Sequence, residues 1–130
     1  MTKEEHIKYW IDIAENDWEI ALRLFSSGDY LYSLFFAHLV IEKISKGLWV
    51  KVNPDNFPPK VHNVLFLLEK SGIQLIQEQK EFLTLLNEFN IDARYPDYKQ
   101  KIYKICTKEY SDDMLKKVDE MRKWLLNKMQ

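Results

Sequence analysis

The chain has 130 residues, a length that fits one domain and is sufficient to bury a hydrophobic core. Hydrophobic residues make up 46% and charged residues 30%, a mixture typical of a globular protein and not of a disordered one. The formal net charge of −1 excludes a general attraction to nucleic acids or membranes, so a polyanion site would have to be local. We therefore predict a single domain over residues 1–130.

The cysteine content and the apolar runs indicate the compartment. Cys106 is the only cysteine, so an intramolecular disulfide is excluded and an oxidising compartment is not implied. The N-terminus has no apolar stretch behind a basic start, as a secretory signal would. The longest apolar run, residues 34–41, is interrupted by His38 and is too short to span a bilayer. We expect a cytoplasmic protein without membrane contact.

The first predicted helix has apolar residues at spacings of three and four, which is typical of an amphipathic helix. These residues are Ile7, Trp10, Ile11, Ala14, Trp18, Ala21 and Phe25. The pattern stops at Ser26-Ser27-Gly28, where glycine can adopt the left-handed conformation that ends a helix. Asp29 is then a candidate N-cap for the next helix.

The second predicted helix, about residues 30–51, is apolar on almost every side through residues 34–41. Such a helix lies in the middle of a bundle or in an oligomer interface. We expect a homodimer built partly on this helix. Glu42 and Lys46, further along it, have the i,i+4 spacing of an ordinary stabilising ion pair.

Three further helices are predicted at about residues 61–70, 76–90 and 108–128, with Thr107 or Ser111 as a candidate N-cap for the last. The sequence has no strand pattern and no internal repeat. Helices joined by short turns pack antiparallel, so the predicted fold is all-α, an antiparallel four- to five-helix bundle.

Residues 91–106 interrupt this pattern and are interpreted as a long connection, because Pro96 favours an extended conformation at Tyr95. From residue 94 to residue 108 there is one anion, Asp97, and a formal charge of +4. The cations are Arg94, Lys99, Lys101, Lys104 and Lys108, and Tyr95, Tyr98 and Tyr103 lie between them. Cations pair with phosphates and phenol rings stack on bases, so this mixture favours a nucleotide or RNA site. The alternative is a solvated loop with lysines that confer solubility.

The remaining reactive residues do not form a recognisable motif. The three histidines, His6, His38 and His62, are scattered and lack a cysteine cluster, so we predict neither a metal site nor a cofactor. His38 lies in the apolar helix, where a hydrogen-bonded core or interface histidine is expected. His62 follows a Pro-Pro turn and can brace the start of the next helix. A glycine-rich phosphate loop is also lacking.

The order of several short motifs resembles that of HEPN domains. The first helical hairpin of that family is similar to Ala14-x-x-Asp17-Trp18-x-x-Ala21, Gly28-Asp29-Tyr30, Phe35-Phe36-Ala37 and Glu42-Lys43-x-x-Lys46-Gly47-Leu48. His62 with Val64, Leu65 and Leu68 resembles the third helix, and Ala93-Arg94-Tyr95-Pro96-Asp97 resembles the late loop. The resemblance extends from about residue 7 to residue 126.

The resemblance implies a helical bundle that usually dimerises and is often encoded beside a small nucleotidyltransferase. Many HEPN proteins are metal-independent RNases, and several are toxins. Their motif is an arginine followed, after four to six residues, by a histidine. Arg94 corresponds to the arginine, but Lys99, Gln100 and Lys101 stand where the histidine is expected. Glutamine does not titrate and an exposed lysine is protonated at neutral pH, so neither replaces a histidine in proton transfer.

The first functional hypothesis is a non-catalytic nucleotide- or RNA-binding module that acts with a separately encoded nucleotidyltransferase, in a toxin–antitoxin-like pair. Its candidate binding residues are Arg94, Tyr95, Tyr98, Lys99, Lys101 and Lys104, with Glu42, Lys43 and Lys46 as additional cleft residues.

Two alternatives stay open. One is an RNase in which Arg94 acts with a proton carrier recruited from elsewhere, such as His38 or a partner subunit. The other is a structural dimerisation partner whose cationic segment is solvated.

Overall fold

A computed structural model describes residues 1–93 and 95–130, and for residue 92 and residues 96–100 it describes the backbone only. This part of the chain forms six helices and contains no strand. The helices are α1 (Lys3–Ser26), α2 (Tyr30–Val52), α3 (Val64–Lys70), α4 (Gln77–Asp92), α5 (Pro96–Ile105) and α6 (Lys108–Asn127). The predicted all-α fold is confirmed, with one or two more helices than expected.

The α1–α2 hairpin is the most extensive contact of the fold. The turn between the helices uses Gly28 in the left-handed region, with φ of 83°, as the sequence predicted. Thr2 caps α1 by accepting a hydrogen bond from the Glu5 backbone N–H at 3.1 Å. Asp29 occupies the N-cap position of α2, as predicted, but its side chain makes no capping hydrogen bond.

Helix α2 is the centre of the bundle and contacts each of the other five helices. Leu34, Ala37, Val40 and Ile41 are fully buried within one copy of the chain. A central position in the bundle therefore accounts for part of the all-round apolar pattern. Phe35, Phe36 and Leu39 of the same stretch are only partly buried, so the dimer expected from this pattern stays a prediction.

The segment between α2 and α3 is held onto the bundle by polar contacts. Lys3 donates hydrogen bonds to the backbone carbonyls of Val50 and Asn53 and to Oδ1 of Asn56, each at 2.8 Å. Asn63 caps α3 through a hydrogen bond from the Phe66 backbone N–H at 3.3 Å. These contacts place His62, the residue before this cap, beside the middle of α2.

The interpretation of residues 91–106 as a long connection is wrong, because most of this segment is helical. Helix α4 continues to Asp92, and α5 begins at Pro96. Tyr95 is extended, with φ of −113° and ψ of 113°, as the following proline requires. Proline also suits the first position of a helix, since the N–H that it lacks would have no partner there. The break was thus correctly located, but the chain returns at once to a helix.

Helix α6 begins directly after Thr107, whose hydroxyl accepts a hydrogen bond from the Tyr110 backbone N–H at 3.1 Å. Thr107 is therefore the N-cap, and Ser111 lies inside the helix. The helix buries Met114, Val118, Met121 and Leu125, the four residues that its periodicity indicated.

Candidate functional site

The cationic segment is presented on the surface by α5. Ile102 and Cys106 are buried one turn apart and anchor the helix, which packs against α4 and α2. Lys101 and Lys104 are exposed, as is Lys108 at the start of α6. None of these three lysines forms an ion pair with a side chain that the structure describes. Their ammonium groups are therefore accessible to an anionic ligand.

Two aromatic residues of this segment, Tyr95 and Tyr103, are also accessible. The Tyr95 side chain, next to the first turn of α5, is 57% exposed and that of Tyr103 is 50% exposed. The other predicted ligands, Arg94 and the side chains of Tyr98 and Lys99, lie outside the described residues. The described part of the predicted site is thus a cationic surface with two accessible phenol rings.

A second group of charged residues lies inside the bundle, around Glu42. The Glu42 side chain is only 2% exposed, and its Oε1 lies 2.8 Å from Nδ1 of His62. Its Oε2 accepts a hydrogen bond from Nζ of Lys46 at 3.4 Å and lies 4.0 Å from Nζ of Lys43. A buried carboxylate requires such partners, because burial without them would cost several kcal/mol.

Asp17 of α1 joins this cluster. Its Oδ2 lies 3.8 Å from Nζ of Lys43, too far for a hydrogen bond, and makes no hydrogen bond with a described residue. Burial raises the pKa of Asp17, the nearby Lys43 ammonium lowers it in part, and Glu42 adds to the increase. Lys43 thus lies between two carboxylates and binds α2 to α1 electrostatically.

His38 lies one helical turn before Glu42 on α2 and is fully buried. Its Nε2 is 3.0 Å from Oδ1 of Asn87, which links α2 to α4. Burial lowers the pKa of His38, an effect that Glu42, Asn87 and the backbone of His62 offset in part. This is the hydrogen-bonded core histidine expected from the sequence, and the described residues leave no part of it exposed.

The additional cleft residues predicted from the sequence therefore lie together, but in a buried ionic cluster. The side chain of Lys43 is 19% exposed and that of Lys46 is 10% exposed, and both ammonium groups already face carboxylates. Lys46 also lies over the ring of Trp10, 5.4 Å from its centre. The predicted Glu42–Lys46 pair exists, but it is buried, so removing one partner should cost more free energy than it would in an ordinary surface pair.

Sequence reasoning missed the partners that α2 recruits, which are Asp17 of α1, His62 of the following segment and Asn87 of α4. One signal was available. His38, Glu42 and Lys46 recur at intervals of four on a largely apolar helix, which places three polar side chains along one face. A polar row in a central helix needs partners from neighbouring helices.

The described residues contain no group of three or more His, Cys, Asp or Glu side chains that could hold a metal ion. Among them, no helix combines the length and hydropathy that crossing a bilayer requires.

The central α2, the α1–α2 hairpin and the cationic α5 define an all-α helical domain with a cationic surface element. The family model of the HEPN domain matches residues 7–129, nearly the entire chain, so this protein belongs to the HEPN domain family. The resemblance carried by the sequence motifs is thereby confirmed. HEPN domains are generally related to nucleotides or RNA. No curated protein and no solved structure shows a significant match to the chain.

Proposed function

We propose that this HEPN domain binds the phosphates of a nucleotide or an RNA through α5 and the turn before it. The observation that carries the proposal is that Lys101, Lys104 and Lys108 are exposed and form no ion pair with a described side chain. Lys101 and Lys104 are three residues apart and therefore share a face of α5. A ligand phosphate would not have to displace a described carboxylate from these ammonium groups, whereas Lys43 and Lys46 would first have to leave internal carboxylates.

Arg94 is proposed as the strongest single contact. A guanidinium can grip two phosphate oxygens with a planar fork, whereas an ammonium supplies a point charge on a flexible stem. Tyr95 and Tyr98 would stack on bases, and Lys99 would add a further phosphate contact. An arginine–phosphate contact of this kind is worth about 1.5–3 kcal/mol, the range for hydrogen bonds to charged groups.

The test is a titration of ATP and of a short RNA at two salt concentrations. We expect Arg94→Ala to weaken binding more than Lys101→Ala does, and the Lys101→Ala/Lys104→Ala variant to reduce the salt dependence of RNA binding. If neither ligand binds the wild-type protein, the segment is only a solvated helix.

A matched control is available on α6. Lys116 and Lys117 are exposed but already paired with Asp112 and Asp113, at 3.0 and 3.3 Å. The Lys116→Ala/Lys117→Ala variant removes the same net charge as the α5 double variant. It therefore measures how much binding weakens from the loss of net charge alone, wherever the lysines lie. Equal weakening by the two double variants would contradict a specific role of α5.

We propose that the isolated protein does not cleave RNA. A histidine is missing at the family spacing after Arg94, and the described position of His38 does not favour the RNase alternative, because its ring is buried and bonded to Asn87. The assay is incubation with a mixed RNA pool in the presence of chelator. Cleavage that disappeared in Arg94→Ala would overturn this proposal, and a further loss in His38→Ala would assign the proton carrier.

HEPN domains often dimerise, and we propose a homodimer here. We further propose that the protein acts with a separately encoded nucleotidyltransferase, in a toxin–antitoxin-like pair. Co-purification of the untagged product of a neighbouring nucleotidyltransferase gene would support this partnership. Failure of the two proteins to associate when co-expressed would contradict the partnership. It would not affect the ligand-binding proposal, which the titration tests separately.

A further inference from the structure

A cleft lies between α4 and α6 in the described part of the chain. Both helices pack against α2, yet they barely contact each other along their described residues. The gap between them has a volume of about 770 Å³. Neither α5 nor the Glu42 cluster contributes to its lining, so this cleft is separate from the proposed ligand site.

Five of the twelve residues that line this α4–α6 cleft are apolar, and four of these five are partly or largely exposed. Ile76 is 63% exposed and Leu85 is 39% exposed, while Phe82 and Trp124 are half-buried and Met121 lies at the base. Exposed apolar side chains that cluster around a concavity are typical of protein interaction sites.

The rim of the cleft is acidic. Four carboxylates and two lysines line it, which gives a formal net charge of −2. Lys116 and Lys117 are both neutralised by aspartates of their own helix. Glu78, Glu81 and Glu120 form no ion pair with a described residue, so three carboxylates are available to cations of a partner.

The length of the cleft indicates the form of the ligand. Its lining runs from Ile76 to Leu85 along α4 and from Asp113 to Trp124 along α6. At a helical rise of about 1.5 Å per residue, these stretches are about 13 and 16 Å long. A ligand helix of about three turns has the same length, and its apolar stripe would face the walls while its flanks met the rim.

We propose that the α4–α6 cleft binds a basic amphipathic helix of another protein. Leu85 and Trp124 would contact its apolar stripe, and Glu78, Glu81 and Glu120 would pair with lysines or arginines on its flanks. An acidic helix would meet like charge at the rim and would be rejected. The proposal is independent of the nucleotide or RNA site on α5.

The test uses two synthetic 14-residue helical peptides with the same leucine stripe, one with lysine flanks and one with glutamate flanks. Binding to the full chain is measured by fluorescence polarisation. We expect the lysine peptide to bind and the glutamate peptide to fail. Leu85→Gln should weaken the lysine peptide about tenfold, which corresponds to about 1.4 kcal/mol, and Glu81→Gln/Glu120→Gln should weaken it and flatten its salt dependence.

Leu22→Gln on α1 is the matched control, because Leu22 is 43% exposed and lies outside the cleft. Equal binding of the two peptides, or equal effects of Leu85→Gln and Leu22→Gln, would overturn the proposal. So would a dimer that dissociates only in Leu85→Gln, since a second copy would then be the occupant. If the α5 variants lose RNA binding but still bind the lysine peptide, the cleft and the proposed nucleotide or RNA site are independent of each other.

Discussion

Neutralising Glu42 by the substitution Glu42→Gln tests whether the buried ionic cluster holds the bundle together. The glutamine has nearly the same shape and can still bond to His62. It leaves Lys46 without a described carboxylate and Lys43 with only that of Asp17. Removing one partner of a buried ion pair costs about 3–5 kcal/mol, because the other charge stays buried without compensation. Lys43 keeps its contact with Asp17, so we expect a loss near the lower limit, about 3 kcal/mol.

This loss converts into a shift of the melting temperature. Unfolding entropy is about 2.1 cal/mol/K per residue, which gives about 0.27 kcal/mol/K for a chain of 130 residues. A destabilisation of about 3 kcal/mol therefore lowers Tm by about 11 °C. The measurement is thermal unfolding followed by circular dichroism, with urea unfolding as a second estimate of the free energy of unfolding.

Two further variants make the test specific. Asp12→Asn breaks the exposed Lys8–Asp12 pair, whose side chains are 75% and 60% exposed, and should cost less than about 1 kcal/mol. The double variant Glu42→Gln/Lys46→Met also removes one of the uncompensated ammonium groups and should be more stable than Glu42→Gln alone. If the free energy of unfolding of Glu42→Gln lies within about 1 kcal/mol of the wild-type value, the reasoning is refuted, since Glu42 would then contribute no more to stability than a surface carboxylate does.

Three other predictions concern stability and assembly. Burial lowers the pKa of His38 from about 6.5, so below that pH the unfolded chain binds a proton that the folded chain does not. The free energy of unfolding should therefore fall as the pH drops below about 6.5, by at most about 1.4 kcal/mol per pH unit. The variant His38→Gln should lack this part of the pH dependence. An unchanged pH profile in that variant would show that His38 does not carry it. Gly28→Ala should cost about 1 kcal/mol in urea unfolding because φ is 83° although the site has room for a methyl group; an unchanged midpoint would contradict this cause. The protein should be a dimer by light scattering at micromolar concentration, and a monomer mass would count against this.

The sequence determined the helices and their ends where local rules apply. Periodic apolar residues located α1 and α6, Gly28 ended α1, and Thr107 capped α6. These features depend on neighbours three or four residues away, which a reader of the sequence can see. The family also followed from the sequence, because several short motifs in a fixed order together identify it although each is weak.

Local rules were insufficient at residues 91–106. Pro96 correctly signalled a break, but proline is as compatible with the first turn of a helix as with a loop. Whether α5 forms depends on a surface against which Ile102 and Cys106 can be buried, and α4 and α2 provide that surface. That surface exists only after the chain has folded, so the sequence pattern gave no sign of it.

For the charged residues of α2, too, local spacing predicted one part of the arrangement and helix packing decided the other. The sequence placed His38, Glu42 and Lys46 on one face, but their partners come from positions 20 to 49 residues distant, such as His62 and Asn87. Contacts between residues so far apart depend on how the helices pack, and packing also decides which charges are desolvated. Only the tertiary structure therefore distinguishes the accessible lysines of α5 from Lys43 and Lys46, which have the same chemistry but already face buried carboxylates.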